Sequence, residues 1–150
     1  MRRAVERIAA GDWPLSEAVA SVTLAFDDRH RRRIRLDDDG GAPFLLDLES
    51  AAVLADGDGL RLEDGGFLAV RAANEPVADI TCADAGAAAR IAWHMGNRHT
   101  PIQVLADGRL RIADDHVLVA MVEGLGGRVE RTHAPFAPEP GAYAGGVHAH

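Results

Sequence analysis

Lysine is absent from this 150-residue sequence, and all 16 of its basic residues are arginine. That excludes Schiff-base chemistry, P-loop phosphate binding and every other mechanism that needs a lysine. Cysteine is nearly absent too. The single one, Cys82, rules out an intramolecular disulfide and any metal site built from several thiolates. No run approaches the roughly 18 apolar residues of a transmembrane helix. Met1 to Arg7 has no apolar core region and does not read as a secretory signal. Aromatic residues are few, with Trp 2, Tyr 1 and Phe 4, and none is interleaved with the one basic cluster, Arg29-His30-Arg31-Arg32-Arg33. Base stacking alongside that cluster is therefore excluded. The formal net charge of −7 argues against a broad nucleic-acid surface. The expectation is an acidic, cytoplasmic protein with neither nucleic acid nor membrane as its partner.

The apolar part is rich in small residues, with 28 alanines, and against it the 7 histidines stand out. The first half reads as short strands separated by Gly/Asp turns. Ala18 to Phe26, Arg31 to Leu36, Pro43 to Leu48, Leu60 to Glu63 and Gly66 to Ala72 are the β-compatible runs. Asp27 to His30, Asp37 to Gly41, Asp56 to Gly59 and Asp64-Gly65 interrupt them. Asp56-Gly57-Asp58-Gly59 has the look of a calcium loop but lacks its further ligands and closing glutamate, so it reads as a turn. The basic cluster, surrounded by aspartates, reads as a solvated strand or a dock for an acidic protein.

The pattern changes at Asn74-Glu75-Pro76, where Pro76 marks a boundary or a strand start. Val77 to Thr81 reads as a strand and Asp84 as a helix N-cap. Ala85, Ala88, Ala89, Ala92 and Met95 follow at helical spacing, and Gly96 and Thr100-Pro101 stop the helix. Ile102 to Leu105 and Arg109 to Ile112 bracket a hairpin turn at Ala106-Asp107-Gly108. Asp114 or Asp115 caps a second helix whose stripe is Val117, Leu118, Met121, Val122 and Leu125. Gly126-Gly127 ends it, and Arg128 to Thr132 is the last strand. Strand, helix, strand, strand, helix, strand is the split βαβ, or ferredoxin-like, order. The predicted class is α+β: an N-terminal β domain over residues 1–74, a ferredoxin-like domain over 75–134, and a proline-rich, flexible tail over 135–150.

The candidate ligands are histidines. His99 sits in Gly96-Asn97-Arg98-His99-Thr100-Pro101, a stiff loop just past a helix end. Neutral imidazole suits nickel, copper and zinc. One imidazole holds a metal weakly, but a two-fold axis beside it would double the site. His148 and His150 form a His-x-His pair that suits metal capture. His30, His94, His116 and His133 carry no arrangement that points to ligation, and Cys82 reads as a small apolar residue.

Trp93-His94-Met95-Gly96-Asn97-Arg98-His99-Thr100-Pro101-Ile102-Gln103 resembles the signature stretch of the urease accessory protein UreE family. Ala73-Asn74-Glu75-Pro76, Asp114-Asp115-His116-Val117-Leu118, and Ala134-Pro135-Phe136 with Pro138-Glu139 and Gly141-Ala142-Tyr143 fit the same family in the same order. The resemblance implies a nickel metallochaperone rather than an enzyme. It implies a peptide-binding-like N-terminal domain and a homodimer formed through the C-terminal domain. His99 would bind nickel at that interface, His148 and His150 would add ligands, and zinc or copper would compete in vitro. The implied partners are the GTPase UreG and the complex that loads apo-urease. Many relatives carry a longer histidine-rich tail than Val147-His148-Ala149-His150, so delivery of one or a few ions is expected rather than storage. Two other readings stand beside it: a histidine-based metal-dependent hydrolase, for which His116 and Asp115 are conceivable helpers, and a metal-independent protein-interaction module.

Overall fold

A computed structural model describes residues 1–141; His148 and His150 lie outside the described residues. The chain divides into two compact units, the first ending at Ala73 and the second beginning at Asn74.

The first unit contains β1 (Arg2–Ile8), β2 (Ala18–Leu24), the short helix α1 (Phe26–Arg29), β3 (His30–Asp37), β4 (Pro43–Val53), β5 (Gly59–Leu62) and β6 (Phe67–Ala72). These strands form one sheet in the order β2-β6-β5-β1-β4-β3. Period-two alternation sends Phe44, Leu46 and Leu48 of β4, and Leu68 and Val70 of β6, into a common core with Ala4, Val22, Leu54 and Leu60. The turn after β3 grips β2, the strand at the other end of that order. Asp39 N–H donates to Ser21 O at 2.8 Å. The Asp39 carboxylate accepts from Thr23 N–H at 3.0 Å and from the Ser21 hydroxyl at 2.6 Å.

Three sequence expectations change here. β1 was not among the expected strands, because its charges hide the alternation. Its charged side chains are held across the sheet, Arg3 by Asp47 and Glu63, and Arg7 by Asp58. Asp27 to His30, expected as a turn, overlaps α1. Arg29, expected in a solvated basic strand, is only 2% exposed; its guanidinium lies 5.9 Å from the Phe26 ring centre and donates to Leu54 O. The other arginines of the cluster remain exposed beside carboxylates, Arg31 near Asp28 and Arg33 near Asp47. The Asp56 to Gly59 segment is indeed a turn. Asp58 accepts from Ala10 N–H, Ala55 N–H and Arg7, and Asp56 from Ala72 N–H.

The second unit runs β7 (Asn74–Thr81), α2 (Ala85–Asn97), β8 (Gln103–Val104), β9 (Leu110–Ala113), α3 (His116–Gly124) and β10 (Arg128–Pro135). Its sheet order is β10-β7-β9-β8, with every neighbour antiparallel. This is the expected βαββαβ arrangement. Asp84 caps α2 by accepting from Ala87 N–H, and Asp115, not Asp114, caps α3. Asp114 instead pairs with Arg131. Pro76 lies inside β7, opposite His133, and offers its carbonyl to Asp114 N–H.

The helices turn somewhat differently from the predicted stripes. On α2 the buried residues are Ile91 and Met95, while Ala85 and Ala89 are exposed. On α3 they are Val119 and Val122, and Val117 is exposed. Alanine carries little apolar surface, so the larger Ile91 decides which face α2 presents to Ala78, Ile80 and Ile112.

Candidate metal site at the end of the second helix

His99 occupies a defined place in the termination of α2. His99 N–H donates to Gly96 O at 3.0 Å and Thr100 N–H to Met95 O at 2.9 Å. This pair of bonds is the Schellman motif, whose first residue beyond the cap takes a left-handed conformation and is usually glycine. Here it is His99, with φ +58°, the one non-glycine at positive φ among the described residues. Met95, whose carbonyl receives the Thr100 bond, is completely buried and ties the turn to the core. Pro101 then disfavours any continuation of the helix. The backbone is therefore fixed while the imidazole stands in solvent. One turn earlier Trp93 is 63% exposed and meets His94 edge-on at 5.0 Å.

Among the described residues, no three His, Cys, Asp or Glu side chains are grouped to hold a metal ion. His116 opens α3, His133 lies on β10 and His30 opens β3. None of the three is in the turn that carries His99.

Two further features were not read from the sequence. On the sheet face opposite the helices, Asp79 of β7 is 4% exposed and receives both Nε (2.6 Å) and Nη2 (2.9 Å) of Arg111. That hydrogen bond raises the Arg111 pKa against the opposing pull of burial. Arg109 stands 3.6 Å from the same carboxylate. The legible signal was an aspartate inside an apolar strand facing arginines spaced by two.

The second feature is the segment after β10. It has no helix or strand, as its prolines dictate, yet it is firmly attached. Arg111 Nη1 donates to Pro135 O at 3.1 Å, and Phe136 is 1% exposed. Ala137 N–H donates to Gln103 Oε1 at 3.0 Å. Glu139 N–H donates to Ile102 O at 2.8 Å, and Val104 N–H donates to Glu139 Oε1 at 3.1 Å. β10 and β8 are opposite edges of the sheet, so residues 135–139 pass from one edge to the other.

A β unit followed by a split βαβ unit that displays a fixed-backbone histidine defines a two-part histidine-presenting protein. Known proteins identify the kind. The family described as UreE urease accessory protein, C-terminal domain, matches residues 75–150, and its N-terminal-domain counterpart matches residues 2–73. The chain thus belongs to the UreE urease accessory protein family. A urease accessory protein UreE of Bradyrhizobium sp. (strain ORS 278) is 52% identical over 151 residues, covering 100% of this chain and 70% of that relative. Those of Beijerinckia indica and Rhodobacter capsulatus are 46% and 47% identical over 97% of this chain, covering 83% and 89% of their own lengths. The family serves urease maturation as an accessory rather than as a catalyst. No helix among the described residues is long and apolar enough to cross a membrane.

Proposed function

We propose that this chain is a nickel chaperone that delivers Ni(II) to apo-urease, with His99 as the central ligand. The observation that carries the reading is the Schellman turn: a histidine occupies the left-handed position that glycine fills at least cost, with its ring in solvent. Residues in sparsely populated backbone regions cluster at functional sites. Imidazole is a good nickel ligand, and its exchangeable nitrogen donation suits a cargo that must be released. In vitro the same site takes zinc or copper.

A single imidazole does not make a tight site, so two copies of the chain contribute one His99 each in a homodimer, and His148 and His150 complete the set. Residues 75–134 hold the metal, residues 1–74 form the peptide-binding-like domain and residues 135–150 the tail. The partners are UreG and the apo-urease maturation complex, in the cytoplasm. The chain acts as a carrier, not as an enzyme.

Titration calorimetry with nickel tests the ligand. His99→Ala is expected to abolish tight binding, and undiminished affinity sinks the assignment. A metal-dependent pull-down of the GTPase separates the carrier from a metal-independent interaction module, in which partner capture would not respond to nickel.

A further inference from the structure

Thr100, Pro101 and Ile102 join His99 to the first residue of β8, Gln103. The link is short, since three residues reach at most about 10 Å. It is also stiff. The pyrrolidine ring fixes φ of Pro101, and its Cδ confines Thr100 to extended backbone. Few soft dihedrals are left between His99 and Ile102, so whatever holds Ile102 also restrains His99.

On the helix side the turn is held by its bonds to Met95 O and Gly96 O. On the other side it runs into β8, which has two residues, lies at the edge of the sheet and pairs with β9 alone. The Ile102 side chain adds a contact with the core under the helices. Residues 137–139 supply the rest of the hold, along the outer edge of β8. Glu139 N–H donates to Ile102 O at 2.8 Å, Ala137 N–H to Gln103 Oε1 at 3.0 Å, and Val104 N–H to Glu139 Oε1 at 3.1 Å. These bonds fall on consecutive residues, so the segment stands in for the strand that an edge lacks. The segment is anchored in turn. Arg111, held by the buried Asp79, donates to Pro135 O, and Phe136 is almost wholly buried. The restraint on Ile102 therefore runs back to β7 and β9 in the middle of the sheet.

We propose that Gln103 and Glu139 are positioning residues for the His99 ligand: their side chains fasten residues 137–139 to β8, and this brace fixes the far end of the turn that presents the imidazole. The role rests on the nickel-carrier reading above. Neither side chain touches the metal in it. Two copies of the turn bring their rings to one ion, so any freedom in either copy has to be frozen on binding. A turn braced beforehand avoids that ordering cost. Loss of the brace, repeated in both copies, weakens nickel binding about tenfold.

The test uses the full chain and two readouts: amide hydrogen exchange of the metal-free protein, and nickel affinity by calorimetry. In Gln103→Ala/Glu139→Ala the His99 and Thr100 amides are expected to exchange about tenfold faster, while the amide of Ile91, in the buried part of α2, keeps its parent rate. Nickel affinity is expected to fall about tenfold in the same variant. Glu139→Ala and Gln103→Ala, each losing one bond, carry the same two measurements with smaller changes and serve if the pair does not fold. Glu139→Gln keeps an acceptor oxygen and is expected to match the parent in both readouts. Unchanged exchange at His99 and Thr100 overturns the proposal. Faster exchange there with parent nickel affinity overturns it too, because the brace is then structural only. Equal acceleration at Ile91 marks general loosening and has the same force. So does a Glu139→Gln variant as impaired as Glu139→Ala, since the hydrogen bond is then not the cause. Failure of the carrier reading shows separately, in His99→Ala retaining tight nickel binding whatever the exchange rates.

Discussion

His99 stands where the backbone favours glycine, so the protein gives up stability to present an imidazole there. Two substitutions isolate this. His99→Ala and His99→Gly both remove the ring, and they differ in how well each residue tolerates φ +58° and in the freedom each gives the unfolded chain. The left-handed region costs an L-residue about 1–2 kcal/mol, which glycine avoids. Against this, glycine makes the unfolded chain more flexible, at a cost of about 0.4–1 kcal/mol. The difference leaves His99→Gly more stable than His99→Ala by about 0.5–1 kcal/mol. At an interior helical position the order is the reverse, with glycine about 1 kcal/mol worse than alanine. The sign is therefore diagnostic. Urea unfolding of the metal-free protein measures it; with a slope of about 1–3 kcal/mol/M, the glycine variant's midpoint should lie a few tenths molar above that of the alanine variant. Relative to the parent, His99→Gly should be equally or slightly more stable, because histidine tolerates the region better than alanine. Both variants should lose nickel binding to the same extent. A His99→Ala variant as stable as His99→Gly would refute the claim that this turn is strained, and with it the stability cost assigned to His99.

Other consequences are open to measurement. Arg111→Met leaves Asp79 buried beside the more distant Arg109 and should cost about 3 kcal/mol in urea unfolding; Asp79→Leu/Arg111→Met together should cost much less, and equal losses would deny the ion pair its place. Gly59→Ala puts a methyl 2.6 Å from the Trp13 ring and should destabilise by about 1–3 kcal/mol, visible as a lower melting temperature. Arg2 and the Ala42 N–H hold the Asp38 carboxyl below the usual carboxylate range, and Ser21 and Thr23 do the same for Asp39. A lowered folded-state pKa favours the ionised form, so this stability is present above the ordinary carboxylate range, about 3.9, and is lost as pH falls through the lowered values. Asp39→Asn should flatten the acid limb of melting temperature against pH; an unchanged limb would remove Asp39 from the account.

The second unit was the more legible half, because its signals are local. Asp84 at a cap position, Ala106-Asp107-Gly108 between two short apolar runs, and paired glycines at Gly126-Gly127 each act through neighbours a few residues away. The βαββαβ order followed from these alone. Helix rotation was less legible: a stripe of alanines gives little apolar weight, and Ile91 settled the face only through its contact with the sheet. β1 was invisible, since its charges are compensated by Asp47, Asp58 and Glu63, all far along the chain. The burial of Arg29 depends in the same way on Leu54 and on the Phe26 ring.

At the end of α2, local sequence was enough to say which residue is presented and by what kind of loop: His99, between a helix stop and Thr100-Pro101. The folded chain alone revealed that His99 takes the left-handed place in a Schellman turn, because that depends on which carbonyl Thr100 N–H reaches. Only it decided that residues 135–139 cross the sheet and end against β8. That path follows from β10 and β8 being opposite edges of one sheet, a fact of strand order that no local pattern encodes.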